Sequence, residues 1–580
     1  MINFALRSTR LVALGLLMAA GLAFAGASAT DDILRLLPAD MSGCLIIQDL
    51  GKHADLLRGS ETFRQFGEKP LVQNWKNSAS FKGFENLTAF LPLYFGVSNE
   101  QLVHDVLGDS IVLALRLPTN GSSPVGVFAC RAAKEEVLVK VLERLTTKGP
   151  NRQITPHTYR DVTFHERHEF NGRLDYLLRI GSVAIMTDKQ EVIEQIIDTS
   201  IDGKSLIDAP LFREMRSSIG EGNFLELLID TEPFKPLLNQ AVERASGPVE
   251  YFAKIFRDVW LDLDWAALSL KITDHLELSL HASVDPKELD STESKWLAVL
   301  SEASNYWKSV PGDVLFAAAT QLDATLTCEQ FLQLSKVVPE LATVVEAFDD
   351  LAVGFDATKD LLPALGPEFG TMIRIGEGGT PEVFIELQLA QGDKMGGAGL
   401  DIAKTMELVI LRPIFVFYSI EHNHEFSDSS RVETTNVGDL RIHSLVHSTV
   451  LPDWLIPSFS VSTDRIRFAS SPQLLTQKRS GNIALWIDSP EAKRFRDALG
   501  IEEVPKAYLS VNRLREFLVH NQGEIAGNIA EKTSVSSSNA SGKINDLNSI
   551  LELVDFAVLS TTTKGQVRRW TLSAFASQKN

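Results

Sequence analysis

Only three cysteines, Cys44, Cys130 and Cys328, occur in the 580 residues. An odd number cannot all pair within one chain, so a disulfide framework is excluded as the scaffold and at least one thiol stays free. Cys44 and Cys130 fall in apolar, strand-like runs, where buried free thiols are the favoured reading and a Cys44–Cys130 bridge the alternative. Positive charge is also in deficit: 56 Lys and Arg face 75 Asp and Glu, a formal net charge of −19. No run of basic residues interleaved with aromatics is present. A chain so acidic is expected to repel phosphate backbones and anionic lipid, and nucleic acid is not an expected partner.

Long apolar runs are missing except at the start. Arg7 and Arg10 form a charged n-region, Leu11 to about Leu22 an apolar h-region, and Ala27-Ser28-Ala29 a small-x-small cleavage pattern, with Ala23-Phe24-Ala25 as a second choice. This is the pattern of a cleavable signal peptide over residues 1–29. The run is short for a membrane span of ~20 residues, so an uncleaved anchor is the lesser alternative. No cysteine directly follows the h-region, which argues against a lipoprotein anchor. The later run Met406–Ile420 contains Glu407 and Arg412, so no transmembrane segment is expected after cleavage. The expected destination is the periplasm or the extracellular space.

What is present is ordinary globular composition, 44% hydrophobic and 23% charged, over a length that implies several domains. It also contains an apparent internal repeat. Leu37-Pro38-Ala39-Asp40 has a counterpart in Val310-Pro311-Gly312-Asp313. Gly96-Val97-Ser98 with Leu107-Gly108 matches Gly354-Phe355-Asp356 with Leu365-Gly366 at equal spacing. Pro124–Phe128 matches Pro381–Ile385, Val162–His165 matches Leu440–His443, Asp175-Tyr176-Leu177 matches Asp453-Trp454-Leu455, and Asp264–Ser269 matches Asp555–Ser560. Two tandem modules are therefore expected, residues 30–290 and 291–580, joined near Asp285-Pro286.

Within the first module, Val137, Leu138, Val141, Leu142 and Leu145 recur at helical spacing, as do Val192, Ile193, Ile196 and Ile197. Short apolar runs read as strands at Ile111–Leu115, Val125–Cys130, Tyr176–Ile180, Val183–Met186 and Phe224–Ile229. Ala266–Ile272 and Leu276–Ala282 flank Thr273-Asp274-His275, a hairpin-like break. Strands that follow one another without intervening helices predict an α+β fold with a largely antiparallel sheet. Thr533–Gly542, rich in serine, reads as a mobile loop.

The Leu37-Pro38-Ala39-Asp40 start, the turn Tyr159-Arg160-Asp161-Val162 with its strand pair, and Asp188 opening a helix resemble one group of large exported bacterial proteins of unknown function. The resemblance implies export and a repeated α+β module. It carries no catalytic residues to transfer.

Motifs for chemistry fail one by one. His165-Glu166-Arg167-His168 places its second histidine one residue too early for a zincin helix. Gly203-Lys204-Ser205 has the tail of a phosphate loop, but Asp198 stands where its first glycine belongs, and a helix-terminating glycine is the better reading. Asp198–Ala209 lacks the closing glutamate of a calcium loop, and Gly396–Gly399 lacks the third glycine of a dinucleotide fingerprint. No cofactor is implied. The remaining pattern is histidine: His165 and His168 recur as His443 and His447, while His422 and His424, two apart, would share one side of a strand and could ligate a transition metal. The expected function is a non-catalytic binding or structural protein of the cell envelope. The alternatives are an exported hydrolase with a dispersed active site and a histidine-based metal-binding protein.

Overall fold

The computed structural model describes residues 27–117, 123–147, 152–169, 172, 174–246, 248–284, 295, 298–299, 302–335, 364–389, 401–426, 428–476, 484–500, 502–533 and 535–577. Most of the expected leader, the Asp285–Pro286 junction, Gly354–Asp356 and Gly396–Gly399 lie outside these residues. The chain forms two compact units. The first takes in residues up to Leu238, Leu263–Val284 and Val567 onward; the second takes in Asn239–Asp262 and Asp285–Gln566.

The first unit is built on β1 (Gly43–Gln48), β2 (Ser110–Arg116), β3 (Val125–Arg131), β4 (Arg152–Tyr159), β5 (Val162–Glu169), β6 (Leu174–Ile180), β7 (Val183–Thr187), β8 (Leu225–Asp230), β9 (Trp265–Ile272) and β10 (His275–Ser283). All pair antiparallel, in the order β4-β5-β6-β7-β3-β2-β1-β8-β9-β10. The chain's last strand, Val567–Ala576, adds to the free edge of β10. The expected helices are present. Val192, Ile193, Ile196 and Ile197 of helix Gln190–Asp202 are all 0% exposed on one face of the sheet, and Val137, Leu138, Val141 and Leu145 of helix Glu135–Thr146 pack on the other. Each such buried side chain contributes about 1.5–3 kcal/mol of transfer free energy. Gly203 ends the first of these helices at φ 76°, as a left-handed cap. Cys44 and Cys130 are free, buried and packed into the cores on opposite faces, so the alternative bridge is not formed. Burial pushes both thiols up, Cys130 to about 12.

The second unit uses β11 (Val314–Gln321), β12 (Leu365–Ile375), β13 (Pro381–Leu389), β14 (Arg431–Val437), β15 (Leu440–Val446), β16 (Ser458–Val461), β17 (Arg465–Ala469), β18 (Val504–Ser510) and β19 (Val554–Lys564). Their order, β14-β15-β16-β17-β13-β12-β11-β18-β19, is again wholly antiparallel and matches that of β4 to β9 strand for strand. The registers match too. Across the first unit one row of partners runs Ala267, Leu228, Cys44, Ala114, Val127, Thr187, Tyr176, Glu166, Thr155. The same steps in the second unit give Val558, Tyr508, Ala317, Met372, Phe384, Ala469, Ser458, Ser444, Glu433. Outside the sheets, Leu206 N donates to Leu37 O and Trp486 N to Val310 O, each at 2.8 Å.

Two expectations need correction. Tyr176 and Trp454 are not matched in register: Tyr176 corresponds to Ser458, because the connection between β15 and β16 is longer than that between β5 and β6. The serine-rich stretch is not a loop throughout, since Ser536 accepts from Asn539 N and caps helix Ser537–Leu551.

Candidate functional site

Of the six histidines singled out by their spacing, His165 and His168 belong to the first unit and His422, His424, His443 and His447 to the second. His165 and His168 sit three apart on β5 and so face opposite sides. His168 Nε2 meets Glu166 Oε1 at 2.5 Å, and the other oxygen of that carboxylate meets His157 Nε2 at 2.9 Å. Burial lowers the pKa of His165. His422 and His424 lie on helix Arg412–Phe426, not on a strand. Ile414 and Phe415, earlier in that helix, pack into a core with Phe459, and the helix runs on through the His-Asn-His segment. Positions two apart on a helix are separated by roughly 200° around its axis, so two-residue spacing does not here mean a shared side as it would on a strand. His447 has φ 62° and meets Arg431 Nη2 at 3.1 Å. Among the described residues no group of three or more His, Cys, Asp or Glu is placed to hold a metal ion.

His443 is the exception in its surroundings. It is 1% exposed and its ring stacks on Phe459 at 4.7 Å. Nε2 meets Glu407 Oε1 at 2.9 Å, and Nδ1 meets Thr434 Oγ1 at 2.9 Å. This joins an exposed hydroxyl on β14, a buried imidazole on β15 and a buried carboxylate on the helical turn Thr405–Leu411. Pro156 faces His165 where Thr434 faces His443, so the first unit lacks the hydroxyl. Glu407 was legible only as an acid out of place in an apolar run.

A second polar cluster was not legible at all. Glu386 on β13 is 4% exposed, ion-paired to Arg465 and bonded to Arg467 Nε at 2.8 Å, both on β17. The matching positions in the first unit are Ala129, Val183 and Ile185, plain core. Glu386, Arg465, Gln388, Asn305, Tyr306, Glu368, Phe369 and Gly370 line a cavity of about 30 Å³, room for roughly two water-sized groups. Gly370 is required there, since a Cβ would lie 2.2 Å from the Tyr306 ring. Gln388 Oε1 is buried without a hydrogen-bond partner among the described residues. On the rim, Glu368 accepts from Ser304 Oγ at 2.5 Å and from Asn305 N at 3.1 Å. Lys506 on β18, also buried, donates to the Glu302 carbonyl, and burial lowers its pKa to about 8. The cavity therefore offers an unfilled acceptor, two carboxylates and one guanidinium beside the rings of Tyr306 and Phe369, an arrangement suited to a small polar group with N–H or O–H donors.

The first unit carries a different feature between β1 and β2. Four consecutive helices, Leu50–Gly59, Glu61–Glu68, Pro70–Lys76 and Ala79–Phe95, form an arm whose middle two pack on their sequence neighbours, while the first also packs on Leu102–Val106 and the last on Glu135–Thr146. Ser60 and Ser78 cap the second and fourth by accepting from Phe63 N and Phe81 N, and Pro70 opens the third. The root is anchored by Leu50 and His53, the latter edge-on to Phe224 at 5.0 Å. Beyond that root the arm exposes Leu56, Phe63, Phe66, Trp75 and Phe90, while at its far end Leu93 and Tyr94, also part exposed, return to the body, where Arg167 Nη1 donates to the Tyr94 hydroxyl at 3.2 Å. The chain matches no protein-family model, no curated protein and no solved structure. No helix among the described residues is long and apolar enough to cross a membrane.

Proposed function

We propose that this chain is an exported, non-catalytic binding protein of the cell envelope, made of two copies of one α+β module, the second of which carries the ligand site. Export rests on the signal-peptide pattern of residues 1–29. The duplication is supported by the shared strand order and by a row of register partners that steps identically across nine strands in each unit. Coincidence between unrelated antiparallel sheets does not ordinarily preserve order and register together.

One observation carries the binding reading: Glu386, Arg465 and Arg467 replace Ala129, Val183 and Ile185 beside a cavity whose Gln388 acceptor is unfilled. Burying such groups costs stability unless they are paired, and a simple scaffold has no use for them. The ligand is a small polar molecule, or the polar end of a larger one, with donors for Gln388 and Glu368. Thermal denaturation screened against amino acids, amino sugars and short peptides is the test, with Gln388→Ala as the comparison. A ligand that raises the melting temperature of the wild type and not of the variant supports the reading. No shift with any of them removes it.

A second reading, hydrolysis, has the Thr434–His443–Glu407 chain in its favour, because an imidazole between a hydroxyl and a carboxylate is the arrangement that activates a nucleophile. Turnover of ester or amide probes that vanishes in Thr434→Val would establish it. Equal rates in both proteins would end it.

A further inference from the structure

We infer that the helical arm Leu50–Phe95 docks on a bilayer surface carrying anionic headgroups. This concerns the first unit and goes beyond the ligand reading of the second.

The apolar side chains are the first observation. Phe90 is 65% exposed, Leu93 69% and Trp75 48%, and Phe63 and Phe66, each more than a third exposed, stack on each other at 6.3 Å. Apolar surface gathered this way on short, flat-lying helices is what interfacial segments present to the headgroup–acyl boundary, where Trp and Tyr are favoured.

Charge is the second, and it decides the occupant. The chain as a whole is −19, yet residues 50–95 hold six Lys or Arg against four Asp or Glu, a local +2. Two other helices expose comparable apolar residues: Pro248–Leu261 through Val249, Phe252 and Phe256, and Arg412–Phe426 through Phe417, Tyr418 and Ile420. The first of these is electrically neutral, with two basic and two acidic residues, and the second has one basic against two acidic. Of these three segments the arm alone combines exposed aromatics with an excess of cations, Arg58 and Lys82 among them exposed. An anionic surface attracts that face and repels the acidic remainder, so it both binds and orients the molecule. The inference runs against the expectation that net acidity keeps the chain from anionic lipid, and it rests on charge being unevenly distributed along the chain.

The test is co-sedimentation of the signal-less protein with vesicles of phosphatidylcholine alone and of phosphatidylcholine mixed with phosphatidylglycerol. The wild type is expected to sediment with the mixed vesicles, weakly or not at all with the neutral ones, and less as salt is raised. Arg58→Glu with Lys82→Glu should lower the bound fraction by about tenfold or more. Phe63→Ser with Trp75→Ser should do the same while leaving circular dichroism and melting unchanged, and Phe252→Ser, on the neutral helix, should leave binding intact. No binding to either vesicle overturns the inference, as does equal binding by the wild type and the Phe63/Trp75 variant. If the wild type ignores vesicles but is a dimer that the Phe63/Trp75 variant dissociates in the ultracentrifuge, the occupant is a second copy of the chain and the lipid assignment falls.

Discussion

At matched places in two sheets of the same order, the first unit packs Ala129 against Ile185 and the second pairs Glu386 with Arg467. The strands around them are undisturbed: Val127 and Thr187 remain partners just as Phe384 and Ala469 do. A sheet is specified by the periodicity of the many positions that face each core, so one apolar pair can give way to an ion pair provided the neighbours hold the register. The first unit thus serves as an internal control for the second. Where both are apolar, packing is being served; where burial matches and polarity does not, something else is. The histidine pair teaches the same lesson in the other direction, since His165 and His443 share a place but only His443 has a hydroxyl and a carboxylate on its ring nitrogens.

The comparison can be broken or sharpened by mutation. The largest effect is expected from Trp265→Ala and Phe556→Ala, both fully buried at matched strand starts, each costing about 3–5 kcal/mol. Hydrogen exchange should show the loss in the unit that carries the change; two variants that melted both units alike would contradict their independence. Glu386→Ala follows, at about 1–3 kcal/mol, a value reduced because Arg465 and Arg467 are 39% and 31% exposed and can reach water. The reciprocal change, Ala129→Glu, should be worse than Glu386→Ala, since no cation waits for it. Urea denaturation of the two variants decides the order. His443→Ala is expected to cost about 1–3 kcal/mol by removing a buried ring bonded to both Glu407 and Thr434, with Glu407 keeping its ion pair to Arg441 at 3.2 Å, while His165→Ala, half-buried, should cost well under that.

The smallest effect is on acid sensitivity. Burial lowers His53 to about 3 and His281 to about 4, both in the first unit. The folded state refuses protons that the unfolded chain accepts near 6.5, so their contribution is intact above that pH and is lost as pH falls toward 4. His275 acts oppositely: burial lowers its pKa, but bonds to Glu277 and Asp274 outweigh this, the net shift is upward, and its contribution is lost as pH rises. Two strongly lowered groups outweigh one raised group. Exchange protection in β9 and β10 should therefore fall between pH 6.5 and 4 more than in β18 and β19. Equal loss in both pairs would sink the assignment.

Much of the fold was legible because its elements are regular. Val192 to Ile197 and Val137 to Leu145 announce their helices by spacing, and the run of strands after Tyr159 announces an antiparallel sheet. The polar cavity was not legible, because Glu386 sits in the alternating run Ile385–Leu389 like any strand glutamate facing water, and only the third dimension brings Arg465 beside it. His422 and His424 misled for a related reason: two-residue spacing carries meaning only on a strand, and the local sequence did not reveal that the helix continued. The arm was hidden by averaging, since a net charge taken over the chain conceals a basic segment inside an acidic one.

The strand Val567–Ala576 lies along β10, almost three hundred residues earlier in the chain. A polypeptide is made from its N-terminus, so β10 emerges with its outer edge unpaired and stays so until nearly everything else has followed. Throughout that interval the edge is a ready template for another molecule in transit. A release short of Val567 would leave it open permanently, and the product would be a seed for aggregation rather than a slightly shorter protein.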